Sequence, residues 1–452
     1  MLALTAGKSA FAPAVVFLSL ARDRVTCDAG PKGEAPRRCA PPGFHHMPVL
    51  PARRCARMPL AGGPLMAIRT PWRAVAAAMA FNGMCMGTWA ARVPAVMEQH
   101  GLNKGSLGIY LLLLGIGALA SFPLAGRAAD KLGAGRVTNW LAFWIVGSML
   151  FVSVAPGPVG LGVALFLFGA GHGAMDVTMN SWAAEVQRHM GRAVMSSIHA
   201  MWSVGTGTAA ALGFVLVRLG TPMPLHFLIA ALVMVCILLP FMRIPWVSEQ
   251  RAPGKSKGKL FAIPRGALVL VGLIGLSSGL GEGAMADWSA VFLAQGIGAT
   301  EAQATLGFAV FSGAMFLTRV LADRVITWAG PVPVARGGGL TAALGVAMAV
   351  LLPGLPAALA GFALMGVGYA TLMPLAVSRA ASDPDVPPGQ ALASISTLGY
   401  GAMLLGPPVI GQLSQMGSLR LAFLLLGAFA LLVAVIAPVL GPARTAGSRR
   451  LA

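Results

Sequence analysis

The chain has 452 residues, 57% of them hydrophobic and only 10% charged, whereas a water-soluble protein carries roughly 25% charged residues. That balance excludes a soluble globular domain and describes a chain that crosses a membrane many times. The net charge of +19 does not describe a nucleic-acid binder: the bases are scattered between apolar runs with no stripe of interleaved aromatics, and they read as loop anchors that set orientation in a bilayer.

Residues 1–65 differ from everything after them. They are rich in Pro, Arg and Gly, with Arg37-Arg38, Pro41-Pro42 and Arg53-Arg54, and hold one apolar run, Phe11 to Leu20, too short to span a bilayer. Such a composition predicts a disordered basic extension. Met66, just ahead of the first long apolar run, offers an alternative start that would make the extension a mis-assigned leader. The cysteines (Cys27, Cys39, Cys55, Cys85 and Cys236) have no metal-ligand spacing, so no disulfide scaffold, metal or cofactor is expected.

From residue 73 the apolar runs recur at 73–93, 105–126, 137–154, 159–182, 196–218, 222–242, 266–294, 301–322, 333–353, 355–378, 389–415 and 419–440. As helix, each is long enough to cross about 30 Å of hydrocarbon, so the expected fold class is an all-α polytopic membrane protein with about twelve spans. The joins at Ala155–Pro158 and Pro353-Gly354 are so short that neighbouring spans must be antiparallel. If the segment before residue 73 is cytoplasmic, nearly all loop bases lie on that side, leaving Arg92, Lys104, Arg218 and Arg420 opposite. This asymmetry places both termini inside. The longest polar break, 244–265, carries Lys255, Lys257 and Lys259. It divides a first bundle, 66–243, from a second, 266–440, with a short tail at 441–452.

The stretch Gly126 to Arg136 holds Asp130, three bases (Arg127, Lys131, Arg136) and the glycines Gly126, Gly133 and Gly135. A hydrocarbon-spanning helix does not carry that density of charge, so a tight turn at the water interface is expected. Gly126 and Gly133 would permit the reversal, and Asp130 would pair with Lys131, Arg136 or a neighbouring helix end.

Polar groups inside spans are costly and therefore functional candidates. His172, Asp176 and Asn180 are spaced by four and form one stripe on the fourth span. The stripe suits a polar substrate site with Asp176 as a proton carrier, and equally suits a polar clasp between helices. Glu282, among glycines near the middle of the seventh span, is the second proton-coupling candidate. Asp287 lies closer to the outer surface, as a cap or a partner for Arg92. Trp89, Trp202, Tyr369 and Tyr400 could stack on a ring or an organic cation; packing or an interfacial belt is the other reading for each.

The two halves repeat each other. Trp89 and Gly108 recur as Trp288 and Gly307, offset 199; Gly169 and Gly171 recur as Gly366 and Gly368, offset 197; Ser196, Trp202 and Gly213 align with Ser394, Tyr400 and Gly411, offset 198. Parallel repeats about an axis along the membrane normal would produce this. The charged turn has a decayed echo in Asp323-Arg324, Gly330 and Arg336. At the positions matching His172, Asp176 and Asn180 stand Tyr369, Met373 and Val377, so the acid exists in one half only.

Six spans plus six, a basic middle loop and the 126–136 motif resemble the major facilitator superfamily over roughly residues 70–440. The segments Trp89–Pro94, Asp176–Asn180 and Gly191–His199 are similar to a branch of bacterial inner-membrane permeases near the fucose-permease type. The resemblance implies two pseudo-symmetric six-helix bundles and alternating access. It also implies a cytoplasmic gate of Gly126, Asp130, Lys131, Gly133 and Arg136, with Asp130 against the start of the eleventh span and a loop base paired with Glu185. The expected function is a secondary transporter of the bacterial inner membrane, working as a monomer and coupled to protons, for a small polar organic solute, sugar-like or similar. The alternatives are a drug or metabolite efflux antiporter and a non-transporting receptor or assembly partner. With no phosphate-binding loop and no nucleophile–base pair, neither ATP drive nor an enzyme is expected.

Overall fold

In hydrocarbon a backbone satisfies its own polar groups only as helix or closed barrel, and every regular element among the described residues is helical. The computed structural model describes residues 70–191, 194–248, 264–386 and 388–441, and at positions 196, 323, 388–390, 392, 393, 396, 397, 400 and 403 it describes the backbone alone. The expectations for residues 1–65, for 249–263 of the middle loop, for 442–452 and for the Tyr400 side chain lie outside it.

The first six rods are α1 (Pro71–Gln99), α2 (Lys104–Leu132), α3 (Ala134–Ser153), α4 (Gly157–Met190), α5 (Met195–Arg218) and α6 (Met223–Val233, running on to Met242). The second six are α7 (Ala267–Val291, running on to Ile297), α8 (Glu301–Ala329), α9 (Pro331–Leu351), α10 (Leu355–Tyr369, resumed as Leu372–Ala381), α11 (Pro388–Met416) and α12 (Leu419–Ile436). Side-chain caps set several starts. Asn103 Oδ1 accepts from the Ser106 N–H at 2.8 Å, and Thr300 and Gln303 form a capping box at the head of α8, each satisfying amides the first turn leaves free.

Most boundaries fall where hydropathy placed them. The join between α2 and α3 does not: helix runs through the charged stretch to Leu132, and the reversal is Gly133 alone, with φ +91°. Gly126 lies within α2 with nothing near it, so its expected part in the turn is corrected. A turn needs one left-handed residue, and charges at the end of a span reach water from the helix surface without unwinding it. Gly330, with φ +82°, makes the same turn between α8 and α9. At that offset, 197, Arg324 matches Arg127 and Thr327 matches Asp130, so Asp323 is not the positional copy of the acid.

Packing follows the repeat. In the first half α1 lies along α5, α2 along α4, and α3 along α4 and α6; the same pairings recur six helices later as α7 with α11, α8 with α10, and α9 with α10 and α12. The two most extensive pairings between halves are α2 with α11 and α5 with α8, and a two-fold exchange of the halves converts one into the other. The chain is thus two pseudo-symmetric six-helix bundles. The most apolar window of α1 is wholly buried, so α1 has no lipid face there. Trp140, Phe143 and Trp144 project from α3 about half exposed, a surface that lipid covers and water would penalise.

Small residues allow the closest of these approaches. A Cβ on Gly205 of α5 would run into the Ala80 carbonyl of α1, and one on Gly83 into the Trp202 carbonyl. Gly205→Val is therefore expected to lower the melting temperature of the detergent-solubilised protein by several degrees, in line with an overpacking cost of ~1–3 kcal/mol, whereas Gly126→Val is expected to leave it unchanged. Equal melting of the two variants in a thermal-unfolding assay would contradict this packing.

Candidate functional site

Between the two halves lies a cavity of about 410 Å³. Its apolar wall includes Met79 and Met86 of α1, Leu111 of α2, Met179 of α4, Met373 of α10 and Ile410 of α11; its polar wall is His172 and Asp176 of α4, His199 and Trp202 of α5, Glu282 and Asp287 of α7, and Arg319 of α8.

Arg319 is the hub. Its Nη2 donates to both Glu282 oxygens at 3.3 and 3.2 Å, its Nη1 to Ser203 Oγ of α5 at 3.1 Å, and its Nε to the Ala370 carbonyl at 3.4 Å. The break in α10 between Tyr369 and Leu372 frees that carbonyl for a side-chain partner. Ser278 Oγ donates to Glu282 Oε1 at 3.1 Å, completing the carboxylate's surroundings. One guanidinium thereby joins α5 of the first half to α7, α8 and α10 of the second. Sequence reasoning passed over it, although a single base inside the apolar run 301–322 was the available signal. Glu282, expected as a proton-coupling carboxyl near mid-span, is salt-bridged to Arg319.

Asp176 and His172 share the cavity as their spacing required. Asn180 stands outside the cavity wall and donates its amide to Asp176 Oδ1 at 3.1 Å, orienting the acid. Trp202 also lines the cavity, its Nε1 donating to Asn82 Oδ1 at 3.0 Å. Two expected stacking residues are elsewhere. Tyr369 is fully buried against Gly281, with its hydroxyl donating to the Leu426 carbonyl at 3.3 Å. Trp89 is fully buried in the core and meets the cavity only through Nε1, 3.4 Å from Asp287 Oδ1. Neither ring presents a face to the cavity, because each fills the space its large side chain needs between helices.

Asp287 was expected nearer the surface with Arg92 as partner. It lines the cavity instead, and Trp89 takes its hydrogen bond. Arg92, one turn further along α1, is a buried residue rather than a loop base. It donates to Glu301 Oε1 of α8 at 2.8 Å, to His226 Nδ1 at 2.9 Å and to the Thr221 carbonyl at 2.5 Å. At this end, called the Thr221 end below, α2 and α11 also close together. A Cβ on Gly108 would come within 2.9 Å of the Pro407 carbonyl oxygen, and the Gln295 amide reaches Met97 Sδ at 3.9 Å.

The opposite, Gly133 end is different. Asp130 and Lys131 have no ion-pair partner among the described residues, and Arg136 is exposed. Glu185 is buried, and its Oε2 accepts from Trp246 Nε1 at 2.9 Å rather than from a base. Ser248 Oγ accepts from the Gly135 amide at 3.1 Å, so the start of the middle loop sits on the turn that Gly133 makes. The expected pairing of Glu185 with a loop base is absent because an indole N–H occupies the carboxylate. The halves meet closely at the Thr221 end, through Arg92 with Glu301 and the approach of Gly108 to Pro407, whereas among the described residues the charged stretch of α2 at the Gly133 end makes no ion pair.

Comparison with known proteins agrees with this architecture. The profile of the Major Facilitator Superfamily matches residues 75–385, with an overlapping match at 3–198. An uncharacterised transporter of Sinorhizobium fredii is 50% identical over 82% of this chain and 98% of its own length. An uncharacterised MFS-type transporter of Yersinia pestis is 36% identical over 78% of this chain and 91% of its own. Among solved structures, a D323A mutant of the nucleoside transporter NupG and a D-xylose-proton symporter each superpose with a TM-score of 0.64 at 15% identity. They cover 82% of this chain and, respectively, 100% and 97% of their own, a likeness of fold alone. The family and these relatives are transporters, not enzymes, and the chain belongs to the Major Facilitator Superfamily of membrane transporters.

Proposed function

We propose that this transporter moves a small organic solute across the bacterial inner membrane by alternating access coupled to protons, with the Gly133 end facing the cytoplasm. The excess of loop bases at that end supports the orientation. The observation that carries the coupling is Asp176, a carboxyl on the cavity wall whose hydrogen-bond partner is the neutral Asn180. A carboxylate so placed is stable only while it holds a proton or faces a cation, and alternating access exposes it to each side in turn. Glu282 contributes differently, because its charge is balanced by Arg319; protonation or a polar solute would loosen the link to Ser203 and let the halves move. The fold supports proton symport in the solved xylose neighbour, and the imidazoles of His172 and His199 on the cavity wall offer hydrogen bonds to the polar part of a solute. Exchange of solute for protons is the second reading, favoured by Asp287, a further cavity carboxyl without a cation beside it.

The gates follow from the same geometry. Arg92 with Glu301 holds the outer side shut in this state, and Asp130, Lys131, Arg136 and Glu185 stand parted until the inner side closes. In that closed state Asp130 engages the start of α11 and Glu185 exchanges Trp246 for a loop base.

Three outcomes are expected. In proteoliposomes Asp176→Asn abolishes uptake driven by a pH gradient while retaining solute exchange at equal pH; gradient-driven uptake at the wild-type rate in this variant rules out Asp176 as the carrier. Asp130→Ala lowers transport with expression intact, and wild-type transport would remove the inner gate from the account. Arg92→Ala loses a cross-half contact of about 1–2 kcal/mol, a shift of ~5- to 30-fold toward the outward-open state. It should therefore speed labelling of a cysteine at Leu111 by an impermeant maleimide added outside cells, and an unchanged rate would show that Arg92 latches nothing.

A further inference from the structure

The charges of the cavity do not balance. Arg319 is the only Arg or Lys among the described residues lining the cavity, and its three nitrogens are already engaged by Glu282, Ser203 and the Ala370 carbonyl. Asp176 on the first half and Asp287 on the second have only uncharged donors, the Asn180 amide at 3.1 Å and the Trp89 indole at 3.4 Å. His172 lines the same space, is 7% exposed, and leaves its Nδ1 without a hydrogen-bond partner. A carboxylate held away from water without a cation is costly, and two of them with an unpaired imidazole nitrogen form a surface that attracts positive charge. The remaining wall is soft and apolar: methionines 79, 86, 179 and 373 and the ring of Trp202. Thioethers adapt to irregular apolar bodies, and an indole face draws a cation.

We propose that the cavity takes an organic monocation, a protonated amine or a quaternary centre on a largely apolar body, with Asp176 and Asp287 as its counter-ions from opposite halves. This rests on the transporter reading above and names the solute class of the same site. A cation between the two acids would draw the halves toward each other, which favours closure around it. When the cation meets a protonated Asp176, the proton leaves to water and the carboxylate takes the new charge. The other titratable or charged groups of the cavity are His172 on the same helix, His199 on α5, Glu282 and Asp287 on α7, and Arg319 on α8; the described cavity residues of α1, α2, α10 and α11 are uncharged. Acid therefore opposes cation binding, both by protonating the acids and by charging the histidines.

The test is binding of tetraphenylphosphonium to the purified full-length protein, beside tetraphenylborate, which has the same shape and opposite charge, and neutral triphenylphosphine oxide. Saturable binding of the cation alone is expected, weakening as pH falls. It should weaken on the order of tenfold in Asp176→Asn and again in Asp287→Asn, with melting curves confirming that both variants are folded. Equal binding of the borate or the neutral oxide, or wild-type affinity in the double variant, overturns the proposal. Proteoliposome flux separates it from the reading beneath it. Flux of glucose but not of the phosphonium sinks the cation site and spares the transporter, whereas saturable, Asp176-dependent cation binding with no flux of any solute upholds the site and sinks the transporter reading.

Discussion

A guanidinium at membrane depth has to be hydrogen-bonded on every side or it destabilises the bundle. Arg319 meets that demand with groups from three other helices, α7 and α10 in its own half and α5 in the other. Breaking a buried pair such as Arg319–Glu282 by removing one partner typically costs about 3–5 kcal/mol, so this arrangement fixes how α5, α7, α8 and α10 approach one another. The α10 break exposes the Ala370 carbonyl at the point where Arg319 arrives, and the polar wall of the cavity forms around it. Among the described residues the only bond of this hub to cross the cleft is a single hydrogen bond, to the Ser203 hydroxyl. That is firm enough to set the register of the halves and weak enough to be exchanged.

The two ends of the bundle express opposite solutions to one problem. At the Thr221 end, glycines 108 and 411 let α2 and α11 touch, and Arg92 ties α1 to α8 through Glu301. At the Gly133 end the charges of the motif have no ion-pair partner among the described residues, and Trp246 covers Glu185. A bistable pair of packed bodies closes one end by opening the other. Trp89 and Arg92 stand one turn apart on α1, so the residue that contacts the cavity acid Asp287 and the residue that latches the outer end move with one helix.

Much of this was legible in the sequence because hydrocarbon imposes simple rules. The twelve apolar runs appear as twelve rods among the described residues, and the offset of Trp89 to Trp288 anticipated the two-fold exchange of helix pairings. The stripe His172–Asp176–Asn180 was legible because helical spacing places residues four apart on one face. What the pattern could not carry was depth and partner. Arg92 read as a loop base because it lies near the end of an apolar run, yet burial pairs it with Glu301, far along the chain. The salt bridge of Glu282 was not legible because its partner Arg319 is on a different helix. Trp89 and Tyr369 had the right residue type for a binding wall, but periodicity does not distinguish a ring facing a cavity from one filling the core.

The central claim is that the two halves move as bodies about the cavity, each end opening as the other closes. Spin labels at Ser181 and Ser378, exposed positions on α4 and α10 near the Gly133 end, and in a second sample at Val159 and Leu352 at the other, report it directly by pulsed dipolar distance measurement in liposomes. When Arg92→Ala releases the latch, the distance between 181 and 378 should shorten as that between 159 and 352 lengthens. Distances that change in the same sense, or a fixed separation at the Gly133 end while the other opens, would contradict the account.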